Sequence, residues 1–253
     1  MRERNIAGPE TPRSFALKMK PLDLRQALRQ FADPERATGA LRFFKTGPGE
    51  YGEGDRFLGV TVPQTRSLLP ASDGLTEGDL LTLLRSEWHE ERLLALLIVV
   101  RRFGKAVRDE TARAQLVKLY LANTAWINNW DLVDSSAPQI LGAWLLTRDR
   151  RVLYRLAKSR SLWEQRIAII ATQAFIRDGQ FDDTLALCEH FLAHPHDLIH
   201  KACGWMLREV GQRDRAVLQR FLQQHAGRMP RTMLRYAIEK FPAAERQHYL
   251  AME

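Results

Sequence analysis

The chain has 253 residues, of which 45% are hydrophobic and 27% charged, so it can bury a core and is not a disordered tail. Lys and Arg outnumber Asp and Glu by 38 to 30, and the formal net charge of +8 favours polyanionic partners such as nucleic acid. The longest apolar run, Leu93–Val100, is far shorter than the roughly 20 residues of a membrane-spanning helix. We therefore expect that the chain is not an integral membrane protein.

The N-terminal segment 1–20 has scattered basic residues and no apolar stretch long enough for a signal peptide. We expect it to be a flexible lead-in, with a single folded domain over residues 21–253. The two cysteines, Cys188 and Cys203, do not make a disulfide framework. The sequence therefore favours a reduced, cytoplasmic protein.

From Leu22 onward, apolar residues recur at helical spacing almost throughout. The clearest stripes run through Glu91–Phe103 and Trp163–Arg177. Alternating polarity is scarce, and the best strand candidate is the short run Phe57–Val62. An all-α chain with one irregular stretch is predicted.

Turn residues divide the helices into pairs. The second helices of these pairs are predicted to start near Glu91, Trp130, Trp163, Ile199 and Arg231. This period of about 32–39 residues is typical of an α-solenoid of HEAT-like helix pairs, in which a concave face can align one side chain per repeat. An irregular helical domain is the alternative, because the repeats are degenerate.

The irregular stretch, Lys45–Val62, contains a literal G-x-G-x-x-G formed by Gly47, Gly49 and Gly52. A dinucleotide-binding turn would need a strand before the glycines and a helix after them. Here a helix-like segment precedes the glycines and Pro48 interrupts them. We interpret the stretch as an ordered loop.

The most unusual passage begins at Asn128, which is a suitable N-cap, with Asp131 as the acidic partner of a capping box. Trp130 and Asp134 then lie one turn apart on the same helical face. Pro138 cannot donate to the Asp134 carbonyl, so the helix should kink or stop there. On these residues alone, a packed Trp130 with a solvated or capping Asp134 is an equal alternative.

Basic residues cluster in the C-terminal part, where residues 146–253 hold 18 basic and 12 acidic residues. Lys201 and Arg208 flank Trp205 at helical spacing. A second group is expected to line the same groove, although a solvated helix face is the alternative. It comprises Arg148, Arg150, Arg151, Arg155, Lys158 and Arg160.

Several other constellations indicate no chemistry. The histidines between His190 and His200 could suggest zinc, but Pro195 interrupts them and no C-x-x-C or H-E-x-x-H is present. We expect no metal and no cofactor. Four tryptophans are predicted to pack between repeats: Trp88, Trp126, Trp144 and Trp163.

The run Trp130–Asp134, with Ser135–Gly142 after it, resembles the signature of the AlkD family of alkylpurine DNA glycosylases. Three further passages resemble the same family in the same order: Phe44–Val62, Trp163–Arg166 and Ile199–Glu209. Together they span roughly Leu22 to Phe241, nearly the whole chain. The resemblance implies a HEAT-like α-solenoid that holds duplex DNA in its concave face.

The resemblance also implies roles for four residues. Asp134 matches the catalytic aspartate, and Trp130 matches the aromatic residue one turn before it. Arg166 matches the arginine near the phosphate backbone and the catalytic carboxylate, and Trp205 matches a second concave-face tryptophan. The family is further expected to have an open concave face without a deep pocket, and to reach the lesion from the backbone side.

These residue types suit the cleavage of a cationic nucleotide. A purine alkylated at N3 or N7 has a weakened glycosidic bond, and its loss leaves an oxocarbenium-like sugar that a carboxylate can stabilise. Indole faces attract the cation. A neutral leaving base needs no general acid, and no second catalytic carboxylate or histidine is evident near Asp134.

The leading hypothesis is a monofunctional, monomeric DNA glycosylase that removes such purines from double-stranded DNA and leaves an abasic site. Asp134 is its expected catalytic residue, and the expected DNA-binding residues are Trp130, Arg166, Lys201, Trp205 and Arg208. One alternative is a non-catalytic HEAT-like module that binds damaged or branched DNA. The other is a protein-interaction scaffold.

Overall fold

The computed structural model of the chain describes residues 20–252, so the expectation for the N-terminal segment lies almost wholly outside the described residues. The α-helices of the described part are α1 (Pro21–Arg29), α2 (Pro34–Phe43), α3 (Val62–Ser67), α4 (Glu77–Leu84), α5 (His89–Lys105), α6 (Glu110–Ala122), α7 (Trp130–Asp134), α8 (Ala143–Leu145), α9 (Arg151–Ala157), α10 (Leu162–Ala171), α11 (Gln173–Arg177), α12 (Asp182–His190), α13 (Asp197–Arg213), α14 (Arg215–His225), α15 (Arg231–Ala237) and α16 (Ala243–Leu250). Between residues 20 and 252 there is no β-strand, which confirms the all-α prediction.

The helices form the predicted pairs. The second helices α5, α7, α10, α13 and α15 begin within two residues of the positions expected from the sequence, and each follows a first helix. Helix α10 packs against α7 on one side and α13 on the other, and α13 packs against α15. The second helices therefore form one continuous layer, as in an α-solenoid.

One hydrophobic core runs through successive repeats. Leu94, Ile167 and Met206, from three different second helices, are fully or almost fully buried in the same cluster. At Gly204 of α13, a Cβ atom would lie 2.5 Å from the carbonyl oxygen of Met233 on α15, so glycine permits close helix packing. This packing holds the repeats together, because each helix pair alone would leave an apolar face exposed that its neighbour buries.

Helix α7 is short, as the proline after it predicts. It ends at Asp134, and a π-helical turn, Pro138–Gly142, follows it. The predicted N-cap is wrong by one residue, because the side chain of Asn129, rather than that of Asn128, accepts the Trp130 N–H at 2.9 Å. Asp131 is not a capping-box partner either, since its carboxylate bonds to a histidine of α5.

The best strand candidate of the sequence, Phe57–Val62, does not form a strand. The backbone N–H groups of Leu58, Gly59 and Val60 donate to the buried Glu90 carboxylate at 2.9, 2.8 and 3.2 Å. Val62 already begins α3. The alternation of apolar residues therefore reflects packing of an extended segment, whose polar backbone is satisfied by a side chain instead of a neighbouring strand.

Glu90→Gln is expected to lower the free energy of unfolding by about 2 kcal/mol, because the amide nitrogen replaces one acceptor and leaves a buried N–H donor unpaired. Chemical denaturation measures this loss. The control is Glu87→Gln, since the Glu87 side chain is 58% exposed and should change stability by less than about 0.5 kcal/mol. Equal stability of the two variants would contradict the role of Glu90.

Candidate functional site

A cavity of about 760 Å³ lies on the layer of second helices. It lies between these helices and the loop of residues 45–51, and residues of both line it. The structure brings all six residues expected at the site into its lining: Trp130, Asp134, Arg166, Lys201, Trp205 and Arg208. Trp130 on α7 and Trp205 on α13 flank α10, which carries Arg166.

Asp134 and Arg166 form a two-pronged ion pair within this cavity. Arg166 Nε donates to Asp134 Oδ1 at 2.9 Å, and Nη2 donates to Oδ2 at 2.7 Å. Nη1 donates to the Leu198 carbonyl at 2.6 Å, which ties the guanidinium to the start of α13. The side chains of Asp134 and Arg166 are 18% and 5% exposed. Arg166 thus orients the carboxylate through a fork that matches its geometry.

Burial and the charge of Arg166 shift the pKa of Asp134 in opposite directions. Burial raises the pKa of the Asp134 carboxyl above its ordinary value, and the charge and hydrogen bonds of Arg166 offset only part of that rise. The negative charge of Asp131 also raises the pKa of Asp134. The carboxylate is therefore poorly solvated and depends on Arg166 to keep its charge.

Trp130 is held by an aromatic stack. Its ring stacks on Phe44 at 5.4 Å between ring centroids, and Phe44 stacks on Phe57 at 4.9 Å. The exposed ring of Phe43 packs in a T-shaped arrangement with Trp130, with 5.7 Å between the ring centroids. These contacts fix the indole one helical turn from Asp134.

A buried charge cluster positions the start of α7. His89 on α5 lies between two carboxylates, with Nδ1 3.2 Å from Asp55 and Nε2 2.8 Å from Asp131. Asp55 also accepts hydrogen bonds from Arg92 and Asn129. Burial alone would lower the pKa of His89, but the two carboxylates outweigh it and raise the pKa to about 9. Protonated His89 therefore joins α5 to α7.

The basic residues beside Trp205 have partners within the chain. Lys201 Nζ lies 2.7 Å from Asp197, and Arg208 pairs with Glu239. The Trp205 indole N–H donates to Glu209 at 3.0 Å. The charge around the cavity is therefore mixed. A phosphate that binds there would compete with these carboxylates for the cationic side chains.

Comparison with known proteins identifies the family. The sequence model of the family described as "DNA alkylation repair enzyme" matches residues 24–241. The chain belongs to this family. This range agrees with the extent of the resemblance found in the sequence, and it includes every residue placed at the cavity.

The fold is also similar to that of a solved structure. That chain is described as a predicted DNA alkylation repair enzyme from Enterococcus faecalis, and the TM-score is 0.66 with 16% identity. The match covers 84% of this chain and 97% of that chain. At this identity the likeness shows the fold alone. A comparison with the curated proteins gives no match.

The loop before α3 gives this member of the family a wall on one side of its cavity. The Gly52 N–H donates to the Lys45 carbonyl at 2.9 Å, and a Cβ at Gly52 would lie 2.4 Å from the Phe44 oxygen. The Gly47 N–H donates to Glu50 at 2.8 Å. The prediction of an ordered loop is confirmed. The expectation of an open face without a deep pocket stays a prediction, since the loop bounds the cavity on one side only.

Several lining residues were missed by the sequence reasoning. Tyr51 packs against Trp163 and His196, with ring centroids 5.9 and 6.3 Å apart. His196 caps α13 through Nδ1, which accepts the Leu198 N–H at 3.1 Å, and burial lowers its pKa. His196 and Glu50 both line the cavity, although no second histidine or carboxylate was evident near Asp134. These residues lie outside the regular part of the helices, so the periodicity of apolar residues could not indicate them.

The basic run at residues 148–160 does not line the cavity, so its expected groove role is wrong. Arg148 pairs with Glu110 at 2.7 Å, and Arg150 pairs with Asp183 at 2.6 Å while covering the ring of Phe175. The run lies on the first helix of its pair and the turn before it, whereas the cavity lies on the second helices. Arg148 and Arg150 instead join this segment to α6 and α12.

The remaining predictions have mixed outcomes. Trp88, Trp144 and Trp163 pack against the core as expected, but Trp126 is 38% exposed. Among residues 20–252, no three or more His, Cys, Asp or Glu side chains are grouped to hold a metal ion. No helix in the described part of the chain is long and apolar enough to cross a membrane.

Proposed function

We propose that the chain is a DNA glycosylase that hydrolyses the N-glycosidic bond of cationic N3- or N7-alkylated purines in duplex DNA and leaves an abasic site. Membership of the family gives it a role in DNA alkylation repair. One observation supports the glycosylase activity above all: a poorly solvated Asp134, held by Arg166, faces a cavity lined by aromatic rings.

The proposed reaction breaks the bond from the sugar C1′ to the base nitrogen. Its electron pair stays with the departing base, which becomes neutral, while positive charge develops on the sugar. The Asp134 carboxylate stabilises that cation, and the effect is strong because the site is largely buried. A water molecule then bonds to C1′ and loses its proton to Asp134 or to solvent.

The aromatic side chains supply a binding site for the cation. Phe43 and Trp130 lie on one side of α10, and Trp205 lies on the other. A cation over an aromatic face gains about 0.5–2 kcal/mol, and the gain disappears when the base leaves as a neutral molecule. Arg166 is occupied by Asp134 and Leu198, so we assign it an orienting role rather than a phosphate contact.

A second candidate is a module that binds damaged or branched DNA without cutting it. The supporting observation is that both Asp134 oxygens already accept hydrogen bonds from Arg166, as they would in a purely structural ion pair. The remaining alternative, a protein-interaction scaffold, has less support, because the cavity combines aromatic rings with a carboxylate at its wall.

The experiment is to incubate the full chain with duplex DNA carrying N7-methylguanine. Released bases are identified by chromatography, and strand cleavage is measured with and without alkali. We expect free 7-methylguanine, an alkali-labile abasic site and no adduct trapped by borohydride, because water is the proposed nucleophile. Tight binding of the methylated duplex without base release would favour the non-catalytic module and contradict the proposed enzyme.

Lys201 is expected to contact a phosphate, because its side chain is 41% exposed at the cavity. Lys201→Ala should weaken duplex binding and reduce the slope of log affinity against log salt by about one. Fluorescence anisotropy over a salt series measures this slope. Arg151→Ala removes a 92% exposed cation away from the cavity and is the control. An unchanged slope in Lys201→Ala would rule out the contact.

A further inference from the structure

The turn of residues 191–196, which leads into α13, is held by two of its own histidines. Nδ1 of His194 accepts the backbone N–H of His196 at 3.0 Å, and Nδ1 of His196 accepts that of Leu198 at 3.1 Å. An imidazole nitrogen that accepts a hydrogen bond carries no proton, so both rings are neutral with the proton on Nε2. The geometry therefore requires two neutral histidines in series at the start of this helix.

The same turn is fastened to α10. With its proton on Nε2, His194 donates to Gln165 Oε1 at 2.9 Å. The amide nitrogen of Gln165 donates to the Ser159 carbonyl at 2.9 Å, which leaves the amide oxygen for the histidine. His200 Nε2 donates to the His194 carbonyl at 2.5 Å. The turn is thus tied to the residue that directly precedes Arg166.

The ring of His196 is connected to the ion pair of Asp134 and Arg166 through one residue. Its bond to the Leu198 N–H makes His196 the N-cap of α13. The carbonyl of the same Leu198 accepts Nη1 of Arg166 at 2.6 Å. The other two donors of Arg166 bind the two oxygens of Asp134. A chain of hydrogen bonds therefore runs from the cap of α13 to the candidate catalytic carboxylate.

We propose that His196 is a positioning residue, whose neutral ring fixes the Leu198 carbonyl and thereby the orientation of Arg166. Through Arg166 it sets the geometry of Asp134. The effect on the rate rests on the proposed function, whereas the effect on the ion pair does not. A helix without its N-cap frays in the first turn, and the carbonyls of that turn move with it. Arg166 would then lose one of its partners, and Asp134 its fixed orientation.

The surroundings of His196 favour the neutral ring. Burial lowers the pKa of His196 below its ordinary value; Asp197 raises the pKa, and the positive charges of Arg166 and Lys201 lower it. The ring should become protonated only as the pH falls below about 6.5, and protonation of Nδ1 removes the acceptor of the Leu198 N–H. The titratable groups that face the ring are Asp197, His200 and Lys201 on α13, Arg166 on α10, His194 in the turn and Tyr51 in the loop of residues 45–51.

The first test compares two variants of His196 by single-turnover release of 7-methylguanine at pH 7. His196→Ala removes the cap, and we expect the maximal rate to fall roughly fivefold while the affinity for the methylated duplex is unchanged. His196→Asn offers an oxygen to the Leu198 N–H and should recover most of that rate. Equal losses of rate in the two variants, or a loss of affinity alone, would overturn the positioning role. His248→Ala, which removes an exposed histidine of α16, is the control.

The pH dependence separates a neutral cap from simple packing. Acid should uncap α13 in the wild type, whereas asparagine does not titrate. We expect the rate of the wild type, relative to that of His196→Asn, to fall about twofold or more between pH 7 and pH 5. Parallel acid limbs in the two proteins would contradict the requirement for a neutral ring.

A double-mutant cycle tests the route through Leu198. Arg166→Lys cannot keep both the bond to the Leu198 carbonyl and the two-pronged pair with Asp134. If His196 acts through this bond, adding His196→Ala to Arg166→Lys should slow base release by less than about twofold. A full loss from each substitution in the double variant would show that His196 acts by another route and would overturn the inference.

Two NMR measurements do not depend on base release. Long-range ¹H–¹⁵N spectra of the wild type above pH 7 should show a protonated Nε2 and an unprotonated Nδ1 on His196, and this test stands if the alanine variant does not fold. Carboxyl ¹³C titrations should give Asp134 a higher pKa in His196→Ala than in the wild type, with recovery in His196→Asn, because Arg166 is held less firmly without the cap. A proton on Nδ1, or one Asp134 pKa in all three proteins, would overturn the inference even if the chain releases no base from any duplex.

Discussion

Replacing Arg166 by glutamine is expected to slow base release by roughly 10²–10³-fold at neutral pH. Arg166 supplies the charge and the hydrogen bonds that oppose the effect of burial on Asp134. Without it the pKa of Asp134 rises further, so a larger fraction of the carboxyl is protonated and cannot stabilise a cation. The acid limb of the rate profile should therefore move to higher pH, and activity should partly recover in alkaline buffer.

Single-turnover rates between pH 6 and 9 measure this effect. Arg166→Lys is the matched variant, because it keeps the positive charge but loses the two-pronged geometry and the bond to Leu198. We expect its pH profile to resemble that of the wild type, with a lower maximal rate. A glutamine variant with a normal rate and an unmoved acid limb would show that Arg166 does not control Asp134.

A second large effect is expected in the pH dependence of stability. The pKa of His89 is about 9 in the folded chain and near 6.5 when unfolded, so the folded state holds this proton more tightly. The resulting stabilisation, about 3 kcal/mol, is fully present below pH 6.5 and is lost as the pH rises through 9. Urea denaturation at several pH values should show the decline.

His89→Gln is the control for that measurement. Glutamine can still reach Asp55 or Asp131, but it cannot hold a proton between them. The variant should be less stable than the wild type at pH 6.5, and the difference between the two should shrink towards pH 9.5. A constant difference across this range would contradict a protonated His89, since the other titrating groups are the same in both proteins.

The helical framework could be predicted from the sequence because its causes are local. Apolar periodicity placed the starts of α5, α10 and α13 within two residues, and Pro138 correctly predicted the end of α7. The run at residues 57–62 could not be predicted, because its backbone is satisfied by Glu90, which is about 30 residues away in the chain. The periodicity of apolar residues gives no information about hydrogen bonds to a side chain that is so distant in the sequence.

The candidate site could be predicted only in part, for similar reasons. Trp130, Asp134, Arg166 and Trp205 were placed by resemblance to the family, and the packing of second helices brings them to one cavity. The wall that contains Tyr51 depends on how the Gly-rich loop turns back over α10. The basic run at residues 148–160 has the right charge but lies on the wrong helix of its pair, which composition does not distinguish.

The most direct test of the proposed chemistry measures release of 7-methylguanine by the wild type and by Asp134→Asn in one assay. Asparagine keeps the size of the side chain and removes its charge. We expect the wild type to release the base and the variant to be slower by at least roughly 100-fold, with similar affinity for the methylated duplex. Equal release by the two proteins would contradict the assignment of Asp134 as the catalytic residue.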